Sequence, residues 1–353
     1  MSIPTLPEIT AQTITTKRLT TRVLFSGPED GIPVLFLHGN TSSATWWEET
    51  MVALPAGFRG IAPDQRGYGD ADPEAKIDAT KGMQDLSYDA FTLMDALDIQ
   101  KFHVVGNSLG GMVVWHMLTF QPWRILTATQ VSPGSPFGYG ATKDIAGNPT
   151  NDDFAGSGGG LSNPELIKRL AETDMTTDSP FSPRAALRTI IVKPGLILDR
   201  EDELVLSMCA THLGEQDIPG DSTQSAHWPH VAPGVWGGTN ATSPKYNLEI
   251  AAKLTATDPK PPILWVRGSH DLLVSDTAAS DPGFLGQAGL MPGWPGAEVF
   301  PPQPMLGQTR AALEAYAKNG GSYEEVVIPD AGHVPYLEKP AEFNAVFHQR
   351  IQS

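Results

Sequence analysis

A chain of 353 residues, 40% of them hydrophobic, is long enough to bury a large core as one α/β domain or as one domain carrying an insertion. With 40 acidic against 24 basic residues the formal charge is −16, which argues against nucleic acid and anionic membrane surfaces as partners. Cys209 is the single cysteine, so no intrachain disulfide forms, and neither a signal region at the start nor an apolar run long enough to span a bilayer is present, so the chain is expected to be soluble and cytoplasmic.

Threonine-rich alternation over 10–19 and 20–25 predicts two antiparallel strands at a sheet edge. Pro33-Val34-Leu35-Phe36-Leu37 is a continuous apolar run ending in His38-Gly39-Asn40, the pattern of a strand buried on both faces. A short helix is expected over 46–54 and a strand over 59–64. An amphipathic helix follows over 80–97, with Met83, Leu86, Ala90, Leu93, Met94 and Leu97 along one stripe. Phe102-His103-Val104-Val105 reads as another buried strand, 111–118 as a helix and 125–131 as a strand. Such alternation implies an α/β fold: a mostly parallel sheet with helices on both faces.

The rhythm breaks at Ser132. As far as residue 258 the chain is rich in Pro, Gly, Ser and Asn, with helical patches at 164–172, 183–191 and 201–213. The glycines from Gly156 to Gly160 are expected to form an exposed, flexible loop. An excursion of this length between two core strands predicts a largely helical cap, so that 1–132 and 259–353 form the core and 133–258 the insertion. The sheet resumes at 262–267. A Gly/Pro-rich stretch over 280–304 precedes a helix at 305–318, a last strand at 323–328 and a last helix at 341–351.

The chemistry concentrates in Gly106-Asn107-Ser108-Leu109-Gly110, a Gly-x-Ser-x-Gly pentapeptide between a predicted strand and a predicted helix. On so sharp a turn the serine backbone is strained, and glycines are needed where a side chain would meet the crossing elements. The hydroxyl is thereby pushed out at the carboxyl end of the sheet, which marks Ser108 as a candidate nucleophile. An unassisted serine hydroxyl is a poor nucleophile at neutral pH; it needs a base within hydrogen-bond reach and a carboxylate to orient that base. The backbone N–H of Leu109, at the helix N-terminus, is a candidate donor to a developing oxyanion.

Together with the order of elements, four further landmarks resemble the α/β-hydrolase superfamily over 19–132 and 262–351. His38-Gly39-Asn40 resembles the loop that contributes to the oxyanion hole, and Asp64-Gln65-Arg66-Gly67-Tyr68-Gly69 the Asp-x-Arg-Gly-x-Gly signature of capped members. Gly268-Ser269-His270-Asp271 resembles the acid-bearing turn, and the segment from Gly332 to Pro340 the one that carries the catalytic histidine. The resemblance implies the α/β-hydrolase fold, His333 as base, Asp271 as orienting acid and the backbone N–H of Asn40 as second oxyanion donor. The Asn40 side chain is alternatively free to hydrogen-bond its own loop, and Asp276 is the local rival to Asp271. Asp64, Asp70 and Asp330 read as structural, in turns or paired with Arg66.

His38-Gly39-Asn40-Thr41-Ser42-Ser43 also resembles haloalkane dehalogenases, and Arg66-Gly67-Tyr68-Gly69-Asp70 epoxide hydrolases. Both groups use an aspartate where this chain has Ser108, and a serine alkoxide attacks acyl carbon instead. Gly106-Asn107-Ser108-Leu109-Gly110-Gly111 resembles the serine hydrolases that cleave carbon–carbon bonds of diketones, but the residues after His333 depart from that group. His227 and His230 have a metal-like spacing broken by Pro229, so neither metal nor cofactor is expected.

The resulting expectation is an esterase-like serine hydrolase that cleaves a carboxylic ester or lactone through an acyl-enzyme. Its substrate is expected to be an apolar small molecule, because 133–258 supplies bulky residues such as Phe137, Tyr139, Phe181, Met208 and Trp228. Carbon–carbon hydrolysis of a diketone, and a hydrolase-like ligand receptor, are the alternatives these residues leave open.

Overall fold

Runs that are apolar at every position become the centre of the sheet. The structure, a computed structural model, describes residues 3–353. One sheet contains β1 (Thr10–Thr15), β2 (Thr20–Ser26), β3 (Ile32–Leu37), β4 (Phe58–Pro63), β5 (Phe102–Asn107), β6 (Ile125–Val131), β7 (Ile263–Gly268) and β8 (Tyr323–Ile328), in the order β1-β2-β4-β3-β5-β6-β7-β8. β1 and β2 pair antiparallel and β2 is antiparallel to β4; every other pairing is parallel.

Side chains of the central strands alternate between two apolar layers, as a period of two requires. Leu35 and Leu37 of β3, with Val104 and Trp265, meet the helices α1 (Gln84–Ala96), α2 (Leu109–Phe120) and α3 (Met305–Lys318). Val34 and Phe36, with Val105, Leu264 and Val266, meet Trp46, Trp47 and the terminal helix α4 (Pro340–Ile351). Trp46 and Trp47 are therefore core residues, Trp47 stacking on Tyr336 at 4.0 Å between ring centroids.

The strand order positions the site. β3 leads to β4 on one side and β5 to β6 on the other, so the loops leaving their carboxyl ends diverge and open a crevice between them. Leu37 is level with Gly106 in the β3–β5 register, so His38-Gly39 and Asn107-Ser108 emerge side by side. Ser108 has φ 56° and ψ −115° and α2 begins at the next residue. Its N–H donates to Val131 (3.0 Å), while its carbonyl accepts from Met112 (3.2 Å) and Gly134 (3.3 Å), so the strained residue is held from three sides. A Cβ on Gly110 would overlap the carbonyl oxygens of Leu37 and His38, which is why α2 can lie so close to β3.

Between β6 and β7 the chain forms helices at Pro164–Ala171, Pro183–Ala186, Glu201–Cys209, Gly238–Ala241 and Ile250–Ala256, with a π-helical turn at Leu187–Ile191. It also contains four short strands in two pairs, Leu213–Gly214 with Ile218–Pro219 and Ser222–Gln224 with Val231–Pro233, so it is less purely helical than expected. The glycines from 156 to 160 do not form the exposed loop expected of them. The Gly156 N–H donates to Val231 (2.9 Å), that of Gly159 to Asn240 Oδ1 (2.9 Å), and Ser157 is buried. Here glycine permits close packing rather than mobility. Among the described residues no helix is long and apolar enough to cross a membrane.

Two predictions follow from this packing. In an ordinary helix Gly→Ala stabilises by up to about 1 kcal/mol; Gly110→Ala should instead lower stability by at least about 2 kcal/mol in urea unfolding, through overpacking against β3. A neutral or stabilising result would contradict that account of the turn. The second concerns His38, His103 and His116, whose pKa values burial pushes down to about 4. Unfolded histidine titrates near 6.5, so below that pH the unfolded chain binds more protons and stability is lost as pH falls toward 4. Each of the three should contribute a loss of about 1 kcal/mol between pH 7 and about 5.5, and His103→Gln should remove roughly a third of their combined drop. A slope unchanged by that substitution would show that His103 is not buried neutral.

Candidate active site

The acid and base expectations converge on one contact. Asp271, in the turn after β7, is buried and lies 3.0 Å (Oδ1) and 2.9 Å (Oδ2) from His333 Nδ1, on the loop after β8. Two main-chain donors, the N–H groups of Leu273 (2.8 Å) and Val274 (2.9 Å), fix the carboxylate through Oδ1. With the carboxylate accepting at Nδ1, the neutral imidazole carries its proton there and its lone pair on Nε2. Asp276 is exposed and accepts from the Leu306 N–H (2.9 Å) at the start of α3, and among the described residues it makes no hydrogen bond to an imidazole.

Ser108 is half-buried and its hydroxyl makes no hydrogen bond among the described residues. Its neighbour supplies the link to His333: Asn107 Nδ2 donates to the His333 carbonyl (3.2 Å) and to that of Val131 (3.1 Å). The structure thus joins Asp271 to His333 directly, and Ser108 to the same loop through the chain. An unliganded nucleophile–base contact is often long, tightening only with substrate bound.

Against Ser108 lies the loop after β3, where a Cβ on Gly39 would be 3.1 Å from Ser108 Cβ. His38 is fully buried, its Nε2 accepting from the Gln65 N–H (3.0 Å) and its Nδ1 facing the Gly39 carbonyl (2.8 Å), which fixes a neutral tautomer as a loop anchor. The Asn40 side chain is engaged: its Oδ1 accepts from the Thr41 N–H (3.0 Å) and from Tyr68 Oη (2.8 Å). The main-chain N–H groups of Asn40 and Leu109 meet no acceptor among the described residues.

Tyr68, noticed in the sequence only as part of a motif, anchors this loop. Its phenol is fully buried, packs edge-on against His38 at 5.1 Å between centroids, and has its pKa raised by burial, so it remains a neutral donor to Asn40. The same motif corrects one expectation. Asp64 caps its own turn by accepting the Asp70 N–H (2.9 Å), as one alternative had it, but its ion pair is with Arg22 (2.9 Å) and not with Arg66, which pairs with Asp89 (2.7 Å). Arg22 and Asp89 come from distant segments, so motif spacing carried no sign of either partner. Asp70 is largely exposed, 3.7 Å from Arg22, and Asp330 pairs with Lys193 (2.7 Å). The remaining core histidines have structural partners: His103 Nδ1 with Thr127 Oγ1 (2.7 Å) and His116 Nδ1 with Ser87 Oγ (2.8 Å).

The segment between β6 and β7 reaches this site from several directions. The Ile191 carbonyl accepts the His333 N–H (2.8 Å), the Gly69 N–H donates to Ala210 (3.0 Å) and the His212 N–H to Gly67 (3.0 Å). Gly238 packs so closely that a Cβ there would be 2.8 Å from Tyr68 Oη and 3.5 Å from Leu109 Cδ1. Of the bulky residues expected to line a pocket, Met208 is instead in the core with Trp46 and Trp47, Trp228 packs on Phe300, and Phe181 is exposed. Among the described residues no group of three or more His, Cys, Asp or Glu side chains is arranged to hold a metal ion.

Comparison with known proteins places this geometry. A family model described as the alpha/beta hydrolase fold matches residues 32–154, from β3 through the serine turn. A putative carbamate hydrolase, RutD, from Variovorax paradoxus is 36% identical over 110 residues, 31% of this chain and 41% of that protein. An uncharacterized carboxylesterase, nap, of Bacillus subtilis is 32% identical over 124 residues, 35% of this chain and 41% of that protein. The chain thus spans about two fifths of the length of these curated relatives. A putative aryl esterase from Burkholderia cenocepacia superposes with a TM-score of 0.59 at 17% identity, over 97% of this chain and 98% of that one. The matched family model and the likeness over nearly the whole of both chains lead to one conclusion: the chain has the α/β-hydrolase fold.

Proposed function

We propose that this chain is a cofactor-independent serine hydrolase that cleaves a carboxylic ester or lactone. The observation that carries the reading is the buried Asp271–His333 pair, on a loop hydrogen-bonded to Asn107, together with the next residue, Ser108, held at positive φ on the β5–α2 turn. In this reading Ser108 Oγ attacks the acyl carbon while its proton passes to His333 Nε2. Asp271 keeps the proton on Nδ1 and stabilises the imidazolium that forms. The N–H groups of Leu109 and Asn40 receive the oxyanion, with Tyr68 holding the Asn40 side chain out of that role. Collapse of the tetrahedral intermediate expels the alcohol, which takes the proton from His333. Water, activated by the same histidine, then releases the acid and restores Ser108.

Residues 133–258 act as the cap in this proposal, and their contacts with Tyr68, Leu109 and His333 make them a wall of the acyl pocket. The carboxylesterase name of the Bacillus subtilis relative supports ester chemistry.

The test is a panel of nitrophenyl esters of increasing acyl length, aryl esters and lactones, applied to wild type and four variants. Ser108→Ala and His333→Ala should each lower kcat by roughly 10³ or more without loss of folding. Asp271→Asn should also cut turnover strongly, by about 10² or more, whereas Asp276→Asn should change it less than about threefold. Turnover surviving in Ser108→Ala would remove the nucleophile from the scheme. Reversal of the two aspartate results would move the acid to Asp276.

A further inference from the structure

Every main-chain N–H from Gly332 to Val334 has a specific partner, and one buried side chain supplies two of the three. Glu338, 8% exposed, ends the short helix Pro335–Glu338 that follows the histidine. Its Oε2 accepts from the Gly332 N–H (2.8 Å) and its Oε1 from the Val334 N–H (3.2 Å), the residues on either side of His333. The Oε2 atom also accepts from the Lys193 N–H (2.7 Å), which belongs to the segment between β6 and β7. Two residues earlier, at the end of the π-helical turn, Ile191 takes the His333 N–H itself (2.8 Å). A Cβ on Gly332 would lie 2.7 Å from Lys193 N and 2.8 Å from Ile191 O, so the two backbones are in direct contact.

We propose that Glu338 is a positioning residue, clasping the His333 loop to residues 191–193 so that the imidazole keeps its orientation toward Asp271 and Ser108. The inference rests on the serine-hydrolase reading. Burial raises the Glu338 pKa, while its three N–H donors and the nearby His333 oppose that rise. A carboxylate is suited to the place because all three of its partners are donors. A glutamine has one accepting oxygen, and its NH₂ group would face at least one N–H. An aspartate retains the acceptors but, one methylene shorter, cannot span all three. No atom of Glu338 needs to touch substrate, so its effect runs through the placement of His333.

The experiment compares wild type, Glu338→Gln, Glu338→Asp and Ser108→Ala in three measurements: the second-order rate of labelling by a fluorophosphonate, kcat and KM for an accepted ester, and the low-field proton resonance of the His333–Asp271 hydrogen bond. For Glu338→Gln we expect labelling and kcat to fall at least about tenfold with KM within about twofold, the pattern of a lost transition-state alignment. The low-field resonance should shift or broaden, and Glu338→Asp should recover part of the lost rate. Wild-type labelling rate, kcat and resonance in Glu338→Gln, with at most a lower melting temperature, would reduce Glu338 to a structural residue and overturn the proposal. Should Glu338→Gln fail to fold, Glu338→Asp decides alone: an intermediate labelling rate supports the clasp and a wild-type rate overturns it. Absence of labelling in the wild type would instead overturn the serine-hydrolase reading, and labelling lost in Ser108→Ala keeps the two failures distinct.

Discussion

The approach of α2 to the end of β3 is the constraint on which the rest of the site depends. Leu37 and Gly106 are in register, and Gly110 sits where any side chain would strike the carbonyls of Leu37 and His38. The chain can turn from β5 into α2 over so short a distance only by taking Ser108 through φ 56°. For a non-glycine residue that conformation stores on the order of 1–3 kcal/mol, which the surrounding hydrogen bonds must hold in place. Bonds to Val131, Met112 and Gly134 do so. The strain has a consequence for chemistry: the hydroxyl projects from a rigid corner with the N-terminus of a helix beside it.

Around that corner the other groups are fixed by main-chain contacts more than by side-chain pairs. Asp271 is oriented by two amides, His38 by an amide and a carbonyl, and His333 lies in a loop whose N–H groups are held by Glu338 and Ile191. Such partners leave little freedom to reorient, which favours preorganised acid–base chemistry. The same pattern ties the segment between β6 and β7 to the His333 loop. Movement of residues 191–193 would therefore be felt at His333.

How much of this was legible in the sequence depended on the range of the interaction. The strands β3, β5 and β7 announce themselves because burial on both faces demands continuous apolar runs, and the serine turn because glycine is required at close approaches. Asp271 and His333, brought within 3.0 Å here, follow β7 and β8 in segments that resemble a known acid-bearing turn and histidine segment, and that resemblance brought them into consideration. The Arg22 partner of Asp64, the Tyr68–Asn40 bond and the Lys193–Glu338 contact join segments far apart in the chain, and no local pattern encodes them. Glu338 did leave a trace, as the one acidic residue between Gly332 and Pro340. The glycines at 156–160 misled because glycine serves tight packing as readily as flexibility, and the short strands of the same region are too brief for alternation to reveal.

At the centre of the account is a covalent acyl group on Ser108, and the most direct measurement looks for it. An accepted nitrophenyl ester is mixed with the protein in a single turnover, quenched in acid, and digested for peptide mass mapping. The account predicts one acyl mass added to the peptide containing Ser108, appearing with the burst of nitrophenol and decaying as the acid product forms. Turnover of the ester with the acyl group on another residue, or with hydrolysis that never passes through an acylated Ser108, would contradict it.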